Sequence, residues 1–335
     1  GLVSPLAGRA IEGVGGRLVL AASAVLLAAG LLALALAPTL TAYAGAWGVI
    51  GLGMGAGLYD PAFSTLGHIY GEEARSLITG VTLWGGFAST VCWPLSALLA
   101  AHLGWRGACA AYAALHLGVL LPLYLFGLPR HGAARRLPPP KPVGAPVARR
   151  APFWLTAIAM TFAALVMTII SVELPTLLQA RGADATAAVA LGALLGPAQV
   201  GARAIEFVVG RRGHPVWTML AATVLVAAGL AALLLDRAFF ALAVLVYGAG
   251  GGIRSIARGT LPLALFGREG YPTVMGRLAM PSLIAQAASP VLGGAMLSGL
   301  GADRMLLAVL ALAGANIVPV LLLIPYARTG APGAG

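Results

Sequence analysis

The chain has 335 residues, of which 60% are hydrophobic and 9% charged, and its mean hydropathy is +0.93. A soluble domain carries about 25% charged residues, so water is excluded as the main solvent of this chain. The formal net charge of +11 could point to nucleic acid, but the basic residues sit in short segments between long apolar runs, a pattern that suits an anionic lipid face and excludes a DNA-reading surface. The two cysteines, Cys92 and Cys109, fall inside apolar runs with neither metal-ligand spacing nor a disulfide framework, and read as small packing residues.

A membrane helix needs about 20 predominantly apolar residues. Residues 1–7 read as the tail of a span and not as a signal peptide. A short polar loop follows, Arg9-Ala10-Ile11-Glu12-Gly13-Val14-Gly15-Gly16-Arg17. Complete spans are then predicted over 17–37, 42–66, 77–101 and 107–127. The second of these carries Gly51, Gly53, Gly55 and Gly57 ahead of Asp60, a charge near the span's end that needs a reason to be in lipid. The third carries Ser89, Trp93 and Ser96 on one face, with Trp93 a candidate cavity aromatic and interfacial anchoring its alternative. Residues 128–152 contain Pro138-Pro139-Pro140, Pro142, Pro146 and six basic residues. Such a segment cannot bury a core and reads as an extended linker.

Six more spans follow, over 153–178, 186–209, 215–235, 239–263, 274–299 and 304–325, which makes ten in all. The first holds Thr161 and Thr168 seven apart, and Glu173 just before Pro175. The second holds Gln199 and Arg203 in its later half. The fourth places Arg254 and Arg258 four apart on a helix face with Tyr247, after the glycines 248, 250, 251 and 252. The fifth holds Arg277 at its start and aligns Ser282, Gln286 and Ser289. The competing reading of the charges is snorkelling or static ion pairing, and that of the serines, threonines and glycines is tight packing. Alternate loops are rich in arginine, including Arg9, Arg17, Arg75, Arg130, Arg211, Arg212, Arg268 and Arg328. By the positive-inside rule these loops, the linker and the C-terminus are expected on the cytoplasmic side. One lysine against twenty arginines reads as the coding bias of a GC-rich bacterial genome, hence a bacterial inner membrane. The histidines are scattered and no GxxxxGK[ST] loop is present, so neither a catalytic constellation, a metal, another cofactor nor ATP is expected.

The loop at 9–17 recurs as Arg203-Ala204-Ile205-Glu206-Phe207-Val208-Val209-Gly210-Arg211, identical at seven of nine positions at an offset of 194. Weaker echoes pair Gly71 with Gly267, Gly80 with Gly276 and Pro94 with Pro290. The chain is thus two related halves of the same orientation: an N-terminal bundle over 1–127, the linker over 128–152 and a C-terminal bundle over 153–335. By repeat symmetry roughly 40 residues, one helix and most of a second, are expected ahead of Gly1.

Gly8-x3-Glu12-x2-Gly15-Gly16-Arg17 resembles the signature loop of the major facilitator superfamily, with Gly201 to Arg211 as its degenerate copy. Glu12 stands where aspartate is customary, and Gly13 where a basic residue is common. The resemblance implies an all-α membrane fold of two pseudo-symmetric bundles, with the present spans as family helices 3–12. Asp60, Glu173 and Arg254 with Arg258 would then lie on helices that line the family's central cavity. It also implies that Gly8, Arg9, Glu12, Gly16, Arg17, Glu206, Arg211, Arg258 and Arg277 work as a gate. The acidic loop residue should meet the start of family helix 11, where the helix dipole favours negative charge. A Glu12–Arg277 contact is therefore expected, with Arg9 or Arg17 near Asp60, and Glu206 near Arg254 or Arg258.

The function so implied is secondary transport by alternating access, in a monomer whose partners are the bilayer and a small-molecule substrate. A likeness to bacterial monocarboxylate and oxalate–formate carriers, with Arg254 and Arg203 as cationic groups, points to a small organic anion. Tyr247, Gln199, Thr161, Thr168, Gln286 and Trp93 would line the cavity, and Asp60 or Glu173 would carry a coupling proton. Two alternatives stay open: a proton-driven exporter of hydrophobic compounds, and a membrane sensor or inactive fragment.

Overall fold

The computed structural model describes residues 1–129, 150–210 and 213–329, and every regular element among them is a helix. Lipid offers the backbone no hydrogen bonds, so a spanning segment must satisfy its own N–H and C=O groups, as a helix does. Among these residues fifteen α-helices follow in chain order: α1 Ser4–Val14, α2 Gly16–Leu36, α3 Leu40–Gly57, α4 Tyr59–Tyr70, α5 Ala74–Gly86, α6 Ala88–Leu115, α7 Leu121–Gly127, α8 Arg150–Ala180, α9 Ala185–Ala193, α10 Leu195–Val209, α11 Pro215–Leu233, α12 Phe240–Phe266, α13 Tyr271–Leu300, α14 Ala302–Ala315 and α15 Ile317–Thr329.

Eight stretches among the described residues are long and apolar enough to cross a membrane: Gly16–Leu36, Pro94–Gly127, Ala151–Ala180, Ala185–Val209, Pro215–Leu233, Arg237–Phe266, Tyr271–Leu300 and Ala302–Ala327. The two other predicted spans are helical but broken. The 42–66 span divides at Leu58, whose backbone is extended. Pro61 explains the position, because its ring clashes with the carbonyl four residues back, which is Gly57, the last residue of α3. The 77–101 span divides at Phe87, after the weak helix formers Gly85 and Gly86. The short loop expected before residue 107 is a kink at Gly104, where φ is 69°. A π-helical turn, His116–Leu120, interrupts the following span. The linker expected over 128–152 lies almost wholly outside the described residues.

The chain forms two compact units. The first takes Gly1–Ala74, the chain from Phe87 to the linker, and Phe266–Met280. The second takes Arg75–Gly86, α8 to α12, and the chain from Pro281 onward. Each unit therefore includes a short segment from the opposite half of the sequence: the start of α13 in the first, and nearly all of α5 in the second.

Within the first unit α2 packs along α3 with glycine at the closest points. A side chain on Gly30 would place Cβ 2.6 Å from Ile50 Cγ1, and one on Gly53 would place it 2.8 Å from Leu27 Cγ. Small residues at such points let helices associate in lipid, where the hydrophobic effect does not drive them together. The second unit has a core built from Ile169, Ile170, Leu174, Leu177, Leu230, Val244, Leu306 and Val309 among others. Arg181, just beyond α8, donates to the end carbonyls Leu234 O (3.0 Å) and Leu235 O (3.4 Å) beyond α11, and ion-pairs with Asp303 in the first turn of α14. Orphan helix-end carbonyls and a helix N-terminus are satisfied together in this way.

A Cβ on Gly250 would lie 2.8 Å from Ala222 O and 2.8 Å from Val226 N, both backbone atoms of α11. Gly250→Ala is expected to lower stability by about 1–3 kcal/mol, read as a lower thermal midpoint of the purified protein. Gly314→Ala, where the added carbon meets nothing within 4 Å, is the control and should leave the midpoint unchanged.

Candidate functional site

The first unit holds the signature loop. Glu12, in the last turn of α1, accepts a hydrogen bond from the Thr273 hydroxyl in the first turn of α13. The acidic residue thus reaches the helix start expected of it, but its partner is Thr273 and not Arg277, which is exposed. The reason is one of register: α13 begins at Tyr271, three residues before the predicted boundary, so Arg277 sits a turn deeper. Gly8 and Gly276 make the approach possible. A Cβ on Gly8 would meet the Pro272 carbonyl, and one on Gly276 would lie 3.0 Å from Pro5 Cα. Arg268, just ahead of α13, donates to His68 O (3.0 Å) and Ile69 O (3.2 Å) near the end of α4. Gly16 is buried against Thr65, while Arg9 is exposed and Arg17 half-buried with its Nε unsatisfied. Neither arginine forms an ion pair with Asp60 among the described residues. Asp60 itself is 6% exposed and lines a small recess with Ser4, Gly8, Gly55, Pro61, Ser64 and Gly276.

The repeat copy lies in the second unit. Glu206 accepts from Thr218 Oγ1 (2.7 Å) and lies within electrostatic reach of Arg75 at the start of α5. The expected approach of Glu206 to Arg254 or Arg258 is not what the structure has: the Glu206 carboxylate accepts from Thr218 instead. Arg75 also donates to Gly210 O at 2.6 Å, which caps the end of α10. Burial lowers the pKa of Arg75 and Glu206 opposes the shift. Arg211 lies outside the described residues. His214 is the N-cap of α11 and accepts from Val216 N through Nδ1 at 3.2 Å.

Arg203, 7% exposed, is engaged through all three guanidinium nitrogens. Its Nε donates to Gly252 O (3.3 Å), one terminal nitrogen to Thr82 O (3.1 Å) and the other to Gln199 Oε1 (3.3 Å). It braces α5, α10 and α12 together. Gly86 makes room for it, since a Cβ there would lie 2.6 Å from the guanidinium. Arg254 is half-buried on α12 and lines a small recess with Ala163, Val166, Met167, Thr223, Val226 and Asn316. Tyr247 is within electrostatic reach of Arg254 and directs its hydroxyl to Met167 O at 3.4 Å. Asn316, between α14 and α15, is 2% exposed, and its Oδ1 accepts no hydrogen bond.

The remaining candidates are scattered. Thr161 donates to Ala157 O within α8 (2.7 Å), as a packing threonine does. Thr168 is half-buried on the same helix, and Arg258 half-buried on α12. Gln286 has a buried Nε2 without a partner. Glu173 is 9% exposed on α8 and packs beside Gly293 of α13, with no hydrogen bond or ion pair from any described residue. The side chain of Trp93 lies outside the described residues. Sequence reasoning missed Thr273, Thr218 and Asn316. Only the first had a signal, as the hydroxyl in the first turn of a helix whose start the motif should meet.

An all-helical fold with eight stretches fit to cross a membrane among the described residues defines a class, that of polytopic membrane proteins. Residues 1–214 match the family model described as Major Facilitator Superfamily, and the chain belongs to that family of transmembrane transporters; it is not an enzyme. Solved structures agree in fold. The human organic anion transporter MFSD10 (TETRAN) superposes with a TM-score of 0.74 at 17% identity, covering 95% of this chain and 80% of its own. The proton:xylose symporter XylE gives 0.73 at 11% identity, covering 97% and 83%. The E. coli fucose:proton symporter FucP gives 0.72 at 13% identity, covering 99% and 88%. No curated protein sequence matches the chain.

His214 supplies a pH test outside the spans. Burial lowers its pKa from the usual value, and the Arg75 guanidinium lowers it further. The neutral ring is the one whose Nδ1 can accept from Val216 N. The folded state then binds fewer protons at this site than the unfolded state, so stability rises with pH across the window between them. The contribution is complete above about 6.5 and lost as pH falls through the lowered folded value. His214→Asn keeps a capping acceptor without titrating. It should flatten the thermal midpoint between about pH 5 and 7, whereas an unchanged slope would remove His214 from the account.

Proposed function

We propose that this secondary transporter carries a small organic anion of the monocarboxylate class by alternating access, with Arg254 as the cation that receives it. The fold is shared with carriers of organic anions and of neutral sugars alike, so the choice rests on charged groups. The supporting observation is the placement of Glu206. An apolar, drug-type cavity would need Glu206 to neutralise Arg254, and Glu206 instead accepts from Thr218 beside Arg75. Arg203 leaves the list of substrate ligands on this reading, because its donors are directed to Gly252 O, Thr82 O and Gln199. Arg254 keeps the part: a guanidinium stays charged, and its planar fork matches a carboxylate bidentately. A bound anion neutralises it and lowers the cost of holding it away from water.

Glu173 is the proposed carrier of a coupling proton. A buried carboxylate without an ion-pair partner is costly when ionised in a span, and proton uptake removes that cost. The arginine-rich loops, the linker and the C-terminus are assigned to the cytoplasmic side of a bacterial inner membrane, on the positive-inside rule.

The test is uptake of radiolabelled monocarboxylates by the full-length protein in proteoliposomes. Arg254→Gln, inserted normally, should lower uptake by at least about tenfold, and Arg254→Lys, which keeps the charge without the fork, should fall between. Glu173→Gln should abolish proton-driven accumulation while leaving substrate exchange. Unchanged affinity and rate in Arg254→Gln would end the anion reading.

A further inference from the structure

Three helix ends of the second unit meet around Gly210. Arg75, in the first turn of α5, donates to Gly210 O at 2.6 Å. Glu206, in the last turn of α10, folds back over Gly210, whose missing side chain leaves room for the carboxylate. The same carboxylate accepts from Thr218 of α11. His214 completes the junction as the N-cap of α11, with Nδ1 accepting from Val216 N at 3.2 Å. Arg75 thus ties the start of α5 to the end of α10. A second tie lies about two turns further along α5, where Arg203 donates to Thr82 O at 3.1 Å.

We propose that His214 is a proton-operated release for the start of α5: neutral, it caps α11 and leaves Arg75 seated on Gly210 O; protonated, it gives up the cap and drives Arg75 from the end of α10. Three features require the neutral ring. Only an Nδ1 with a free lone pair can accept from Val216 N. A cation at a helix N-cap is disfavoured by the helix dipole. A charged ring would also add a second positive charge beside the Arg75 guanidinium, which already acts on it. The charged groups around the ring are Arg75 from α5 and Glu206 from α10, the latter engaged by Thr218; α11 has no charged residue as far as Leu233. Arg211 and Arg212 lie outside the described residues. Burial and the Arg75 guanidinium both lower the pKa of His214. The seated form therefore takes up the proton less readily than the released form. Its contribution is complete above about 6.5, the ordinary imidazole value, and is lost as pH falls through the lowered one. The Arg203–Thr82 tie does not involve the ring, so release is confined to the first turns of α5. Acid on the side of the membrane that bears this loop would thus loosen one junction of the transporter, whatever solute it carries.

The experiment is pulsed electron paramagnetic resonance on the purified full-length protein in a Cys92→Ala, Cys109→Ala background. Spin labels are attached through Leu77→Cys on α5 and Val208→Cys on α10, both exposed positions. The expected result is a reversible lengthening on acidification, with the long-distance population rising at least about threefold between about pH 7.5 and 5. A second pair, Val81→Cys with Ile205→Cys, sits near the Arg203–Thr82 tie and should not respond, which separates release of the α5 start from acid unfolding. His214→Asn keeps a capping acceptor without titrating, and should hold the Leu77–Val208 distance at its neutral-pH value throughout. An acid shift of equal size in His214→Asn, equal lengthening of both label pairs, or no shift in the protein with His214 intact would overturn the proposal. The last two outcomes need no substitution at His214, so the test survives a variant that does not fold.

Discussion

A guanidinium in a span must find oxygen, and Arg203 finds it on three helices at once. Its fork takes Gly252 O of α12, Thr82 O of α5 and Gln199 Oε1 of its own helix. None of this works with ordinary side chains nearby. Gly86 leaves space for the guanidinium, and a Cβ on Gly252 would lie 2.8 Å from Gln199 Cα. Glycine and arginine therefore act as one device: the glycines bring backbones close, and the arginine joins the carbonyls so exposed. A break in lipid leaves a charge and two carbonyls without water to replace what was lost, so the arrangement is hard to undo.

The same logic sits at the two copies of the repeated loop. In the first unit Glu12 of α1 meets Thr273 at the start of α13. In the second, Glu206 of α10 lies beside Arg75 at the start of α5 and accepts from Thr218. The start of α13 is grouped with the first unit and nearly all of α5 with the second. Gly276 and Gly80, which pair in the sequence echo, lie on these two segments. Each loop offers a carboxylate to a helix start, where the backbone N–H groups favour negative charge. The partners differ because the copies have diverged: a neutral hydroxyl in one, a hydroxyl with a guanidinium in the other.

The spans were legible because twenty apolar residues in lipid leave the backbone little choice but a helix. The break at Leu58 was legible in principle, directly after the last glycine of the series and three residues before Pro61, yet the hydropathy of 42–66 runs through it unbroken. The start of the fifth span of the C-terminal half was misplaced by three residues, and that alone transferred Glu12 from Thr273 to Arg277. Arg203 was visible as a charge in a span, but its role depends on carbonyls from helices far away in sequence, which periodicity does not encode. Asn316 gave no sign at all; a single polar residue at a helix junction becomes notable only when its Oδ1 is seen buried without a donor.

Arg203 and Arg254 thus divide two tasks that look alike in sequence. One holds helices together, and the other borders a recess with an unsatisfied amide oxygen beside it. On the proposed function the transported species is negatively charged. Currents on a solid-supported membrane carrying the full-length protein measure that directly at the binding step, since a concentration jump reports the charge moved as the anion enters its site, before a coupled proton compensates it. Transient currents are predicted with small monocarboxylates, and none with neutral sugars or lipophilic cations. Currents with a lipophilic cation and none with any carboxylate would contradict an anion carrier.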